Sequence, residues 1–199
     1  MNLLPFPIKT NWLLFFFLLF ISCRLSALTF TEEEQAWIAA NPEITLGGDF
    51  SWAPYDFLNE EGEHDGISAD VLELISEKSG LTITVVPDVW ANTMEKMRAG
   101  EIMGLSCAAA TKPRQEFLLF SKPYVSLSLG IIVQQHRDDI QSMDDLIGFT
   151  VAVNKDSYLH TWLTINYPNL DLVLTNSNDE SLEAVSFGKA DAYIGNIAV

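Results

Sequence analysis

An α/β fold is predicted by three features of this 199-residue sequence. Short β-branched or apolar runs at residues 44–48, 81–86, 150–153 and 170–174 alternate with stretches of helical periodicity. Glycines close those helical stretches at Gly80, Gly100 and Gly188, as left-handed caps do. A balance of 48% hydrophobic to 19% charged residues is that of a packed chain. Strands and helices alternating at this spacing build parallel sheets with helices on their faces.

The elements follow in order. Residues 1–27 read as an export signal, with Lys9 in a positive n-region, a ten-residue apolar core at 12–21 and small residues Ser26 and Ala27 for cleavage. The core is short for a membrane span. Phe20-Ile21-Ser22-Cys23 also resembles a lipoprotein cleavage box. Residues 28–41 hold a lead-in helix with a Thr31–Glu34 capping box, stopped by Asn41-Pro42. A strand at 44–48 leads into the turn Trp52-Ala53-Pro54-Tyr55, and the acid- and glycine-rich stretch 59–66 reads as a solvated hairpin tip. Helices are expected at 67–79 and 92–99, with the strand 81–86 between them.

The most informative stretch is 103–124, MGLSCAAATKPRQEFLLFSKPY. Its small apolar run, 104–110, has the length of a buried strand. Thr111 caps the following turn and Pro113 suits its first helical positions. That geometry carries Arg114 to a sheet edge, where its planar fork suits a carboxylate. Further strands are expected at 127–133, 150–153, 170–174 and 191–196, with a helix N-terminus at 155–158 and a helix at 179–187.

The elements Thr111…Arg114 and Phe120-Ser121-Lys122-Pro123-Tyr124 resemble the signature of bacterial extracellular solute-binding proteins of the polar amino-acid type, family 3. Gly66-Ile67 with Asp70, and the turn around Trp52, fit the same pattern. The resemblance implies a bilobed, periplasmic-binding-protein-like (type II) domain: lobe 1 at 42–130 and part of lobe 2 at 131–199. It also implies a periplasmic solute-binding module that closes on a small, amino-acid-like carboxylate. In relatives the Arg holds the ligand's carboxylate, which assigns that contact to Arg114. Trp52 and Trp90 are then apolar walls, Ser106 and Ser157 lesser donors, and Asn196 the contact for the ligand's polar end.

Two departures from the family stand out. Amino-acid receptors carry Gly-Thr-Thr where this chain has Asp156-Ser157-Tyr158, and Asp where it has Asn196. Gly-Asn at 195–196 and the lead-in helix resemble the sensor-associated members, so the expected partners are an inner-membrane transporter or a fused sensor output domain. Relatives continue beyond the position of Val199, so lobe 2 is expected to be incomplete and the chain a fragment or truncated frame.

Charge and chemistry narrow the remaining classes. The net charge is −16, and Lys9 and Arg24 lie in the leader, so the rest of the chain opposes few basic residues to all 27 acids. Such a surface repels phosphate backbones and argues against nucleic acid. Cys107, among small apolar neighbours, reads as a buried free thiol. The scattered His64, His136 and His160 make no metal motif, and neither a metal nor a cofactor is expected. No catalytic Ser/His/Asp order appears. The expected activity is binding and not turnover. A dehydratase-like enzyme acting on cyclic acids is the alternative, with Asp49 and Asp156 as the acids near site loops, and a nonfunctional remnant is the third reading.

Overall fold

The computed structural model describes residues 29–197, so the leader 1–27 and Cys23 lie outside the described residues. The chain begins with α1 (Glu32–Ala40), where Thr31 and Glu34 form the reciprocal capping box the sequence predicts. β1 (Glu43–Asp49) follows, then a small antiparallel sheet of β2 (Ser51–Trp52), β3 (Asp56–Leu58) and β4 (His64–Asp65). Next come α2 (Ile67–Ser79), β5 (Thr82–Asp88), α3 (Trp90–Ala99), β6 (Gly104–Leu105) and α4 (Lys112–Gln115). The first lobe's main sheet has the order β5-β1-β6, all parallel.

The second lobe is built on β7 (Leu129–Val133), β8 (Thr150–Asn154), α5 (Tyr158–Asn166), β9 (Asp171–Thr175), α6 (Asn178–Ser186) and β10 (Ala192–Asn196). Its sheet order is β7-β10-β8-β9, with β10, β8 and β9 parallel and β7 antiparallel at the edge. The fold is bilobed α/β, as the sequence predicts.

Period-2 alternation explains the second lobe's two cores. Val151 and Val153 on β8 point to one face, packing with Leu146, Leu159, Leu163 and Ile194. Ala152 between them points to the other, packing with Ala184, Val185, Ala190 and Tyr193. A parallel strand covered by helices on both faces needs such a continuous apolar run.

Several boundaries differ from the sequence reading. The strand expected over 104–110 pairs only at Gly104–Leu105, because Ser106 turns its hydroxyl into a buried polar cluster and the alanines after it become a cavity wall. The helix expected from residue 92 starts at Trp90, and the one expected at 179–187 starts at Asn178 behind the cap Ser177. Cys107 is buried and free, and its thiol is pushed up to about 11 by burial, which keeps it protonated and unreactive.

Close approach explains two glycines in β1. A Cβ on Gly47 would lie 2.6 Å from both Ile102 Cδ1 and Thr93 Cγ2, and one on Gly48 would lie 2.9 Å from Val85 Cγ1. Without side chains here, α3 and the Ser106 loop lie directly against the strand that carries Asp49.

Candidate ligand-binding cleft

The carboxyl ends of β1, β8 and β10 converge on one cavity of about 470 Å³ of space between atoms, part of it open to solvent. Crevices at the carboxyl ends of parallel strands are where α/β sheets take ligands. The first lobe contributes Asp49, Trp52, Trp90, Ala108, Ala109 and Arg114. The second contributes Asn154, Ser157, Tyr158, Asn178, Tyr193 and Asn196, among others.

Arg114 owes its position to local sequence. Thr111 caps α4, accepting from the Arg114 N–H at 3.4 Å, and Pro113 sits in the first turn. The side chain is 6% exposed, with its guanidinium 5.0 Å above the Trp90 ring. Its Nη1 donates to the Ala109 carbonyl and its Nη2 to the Asp156 carbonyl, each at 3.1 Å. Among the described residues it forms no ion pair with a carboxylate. Burial, aided by Arg98, pushes it down to about 10. A buried cation with no directly paired carboxylate is costly.

The Asp156 carbonyl reaches across from the second lobe. It also accepts from Trp90 Nε1 at 2.9 Å, so two first-lobe donors converge on one oxygen. Asp156 holds φ at +58°, the left-handed region that Asp tolerates better than most residues. A third bridge runs the other way, with Asn178 Nδ2 donating to the Ser51 carbonyl at 3.1 Å.

Five of the six residues singled out from sequence line the cavity: Arg114, Trp52, Trp90, Ser157 and Asn196. Trp52 also packs against Tyr55, ring centroids 5.3 Å apart. Ser157 caps α5, its oxygen accepting from the His160 N–H at 3.1 Å. Asn196 Oδ1 accepts from the Tyr158 hydroxyl at 3.3 Å. Ser106 is not on the cavity wall. Its hydroxyl lies 2.8 Å from Asp56 Oδ2 and 3.1 Å from the Gly47 carbonyl, behind it.

That cluster was missed from sequence. Asp56 is fully buried and receives the Asp49 N–H at 2.9 Å, the Ser68 hydroxyl at 2.7 Å and the Ser106 hydroxyl, with His64 Nε2 at 2.6 Å. It ties β1, β4, α2 and the loop after β6 to one carboxyl group. Asp49, in front of it, is pushed up to about 7, chiefly by burial, with Asp56 nearby adding to the shift.

Asn154, Asn178 and Tyr193 were missed as well. Asn154 ends β8, and its available signal was a polar residue closing the apolar run Thr150-Val151-Ala152-Val153. Tyr193 donates to Asn178 Oδ1 at 2.8 Å. No group of metal-ligating side chains forms among the described residues.

Over 175 residues the chain is 29% identical to the virulence sensor protein BvgS of Bordetella pertussis, covering 87% of this chain and 14% of that one. Over 196 residues it is 25% identical to the sensor protein EvgS of Escherichia coli O157:H7, covering 97% and 16%. The solved structure of the B. pertussis BvgS periplasmic domain matches with a TM-score of 0.75 at 29% identity, over 85% of this chain and 33% of that one. The chain thus spans less than one fifth of the length of these sensor relatives. The profile of the bacterial extracellular solute-binding proteins, family 3, matches residues 44–191. This chain belongs to that family.

Proposed function

We propose that the chain is the solute-capturing part of a periplasmic sensor and takes a small, amino-acid-like carboxylate between its two lobes. The observation that carries this reading is Arg114, a buried guanidinium stacked on Trp90 and hydrogen-bonded to two carbonyls, with no directly paired carboxylate among the described residues. A ligand carboxylate takes the Nη2 donor from the Asp156 carbonyl and supplies a direct carboxylate partner. Trp90 and Trp52 give it apolar walls, Asn196 faces its polar end, and Asp49 is the one acid on the cavity wall. The leader read from sequence supports export to the periplasm. The similarity to two sensor proteins favours signalling through a fused output domain over delivery to a transporter.

The test is calorimetry with a panel of small carboxylic acids against wild type and Arg114→Ala. Wild type binds at least one member, and the variant loses that binding while its circular dichroism is retained. Unchanged affinity in Arg114→Ala removes the anchor and the reading with it.

One observation supports a second, enzymatic reading. Asp49, pushed to about 7 on the cavity wall, has the proton affinity of a general acid at neutral pH. Turnover of a cyclic carboxylic acid by purified protein, lost in Asp49→Asn, favours that reading over binding alone.

A further inference from the structure

Both first-lobe donors that meet the Asp156 carbonyl depend on the direction in which one turn presents it. That turn is Asn154-Lys155-Asp156-Ser157, closed by the Ser157 N–H donating to the Asn154 carbonyl at 3.2 Å. Its third residue, Asp156, has a positive φ, where glycine is usual and a side chain adds strain. A conformation of that kind persists only when its surroundings hold it.

The holder is His160, one helical turn further on. Its Nδ1 accepts from the Asp156 N–H at 3.1 Å, and its own N–H donates to the Ser157 cap, which fixes where α5 starts the ring. An Nδ1 that accepts is unprotonated, so the neutral ring carries its proton on Nε2. The ring is partly exposed, and the Asp156 carboxylate lies 4.0 Å from Nδ1. Lys155 precedes Asp156 in the turn, Tyr158 turns its hydroxyl to Asn196, and Arg114 reaches this segment from the first lobe through the Asp156 carbonyl. The strand on which α5 packs, β8, carries no titratable side chain.

A proton on Nδ1 reverses this arrangement. The imidazolium offers the Asp156 N–H a donor in place of an acceptor, while the carboxylate of the same residue draws the ring toward itself. The turn then loses the bond that holds its positive φ, and with it the aim of the carbonyl between the lobes.

We propose that His160 is a positioning residue: its neutral imidazole sets the Asp156 peptide, and through it the carbonyl that Trp90 and Arg114 grip, so this bridge between the lobes holds while the ring is unprotonated. The inference goes beyond the ligand reading above and is tested without a ligand.

The test is proton–nitrogen NMR on the full chain, following the Asp156 amide and the Trp90 indole N–H, the latter assigned by its loss in Trp90→Phe. His160→Leu removes the acceptor. His160→Asn keeps one, because its Oδ1 falls where Nδ1 was, and it takes no proton. Protection of both N–H groups from exchange is expected to fall about two- to tenfold in His160→Leu and to stay at the wild-type level in His160→Asn. As the pH is lowered from about 8 to about 5, the range in which imidazoles titrate, the wild-type Trp90 indole signal moves with the ring. Asp49 on the same cavity is pushed up to about 7, so its share of the movement is what remains in His160→Asn and disappears when Asp49→Asn is added.

Unchanged protection of the Trp90 indole in His160→Leu overturns the proposal, because the ring then holds its own turn and not the bridge. So does a His160→Asn variant that behaves as His160→Leu, since bulk and not the acceptor then matters. Should His160→Leu fail to fold, wild type against His160→Asn still decides, and matching pH profiles of the indole signal overturn the proposal. Unchanged carboxylate affinity in Arg114→Ala leaves all these readouts untouched, so the two readings fail separately.

Discussion

Trp90→Phe isolates one bond between the lobes. The substitution removes the Nε1–H that donates to the Asp156 carbonyl at 2.9 Å and keeps an aromatic face under the Arg114 guanidinium. The carbonyl retains its second donor, Arg114 Nη2 at 3.1 Å, so it is not left unpaired. The loss is therefore the net value of one hydrogen bond, about 0.5–1.5 kcal/mol, and not the larger penalty of an orphaned buried acceptor. By that range the opening of the residue 155–158 segment becomes roughly two- to twelvefold more populated. Native-state hydrogen exchange reads this directly, because amide exchange in the segment scales with the open population. Exchange at 155–158 is expected to accelerate within that range, while the interior of β8 keeps its wild-type protection. Unchanged exchange at 155–158, alongside a lower melting temperature, would refute the reasoning. The indole would then contribute packing alone, and the lobes would be held by something else.

Two further outcomes follow from the cluster behind the cleft. In Asp56→Ala the Ser106 hydroxyl keeps the Gly47 carbonyl and Ser68 keeps His64, so the main loss is the acceptor for the Asp49 N–H. The expected cost is about 2–3 kcal/mol, read as a melting temperature lower by about 4–12 °C in calorimetry. Asp49 sets a pH dependence: its folded value of about 7 lies above the ordinary carboxyl value of 3.8, so the folded state holds the proton more tightly. The stability tied to this proton is complete below 3.8 and is lost as pH rises through about 7. Asp49→Asn removes that slope, and chemical denaturation at a series of pH values between those limits checks it.

The alternation of strands and helices was legible because periodicity and glycine caps report local backbone choices. The Thr111 cap and Pro113 act within one turn of Arg114, which the structure sets on the cavity wall. Ser106 was misread for the opposite reason. Its position beside the site is real, but whether its hydroxyl faces forward or back is decided by Asp56, fifty residues earlier in the chain. The Asp56 cluster itself draws single polar residues from four segments, and no spacing rule links them. Asn154 escaped notice because one Asn at a strand end is common, and what distinguishes it is a missing partner, which only the folded state defines. The strand at 104–110 was overextended because small apolar residues suit a cavity wall as well as a sheet.

The Asp56 cluster divides mechanical duties from chemical ones. The carboxyl group that fixes β1, β4, α2 and the loop after β6 sits one layer behind the cleft and is fully buried. Wall residues that make no bond between the lobes therefore need not hold up the first lobe's framework. Trp52, on the same lobe, is free to change with the solute to be recognised, while the frame behind it stays constant. Retuning such a domain to another small molecule becomes a matter of surface exchange over a conserved chassis. Variation should accumulate on the wall and be purged behind it.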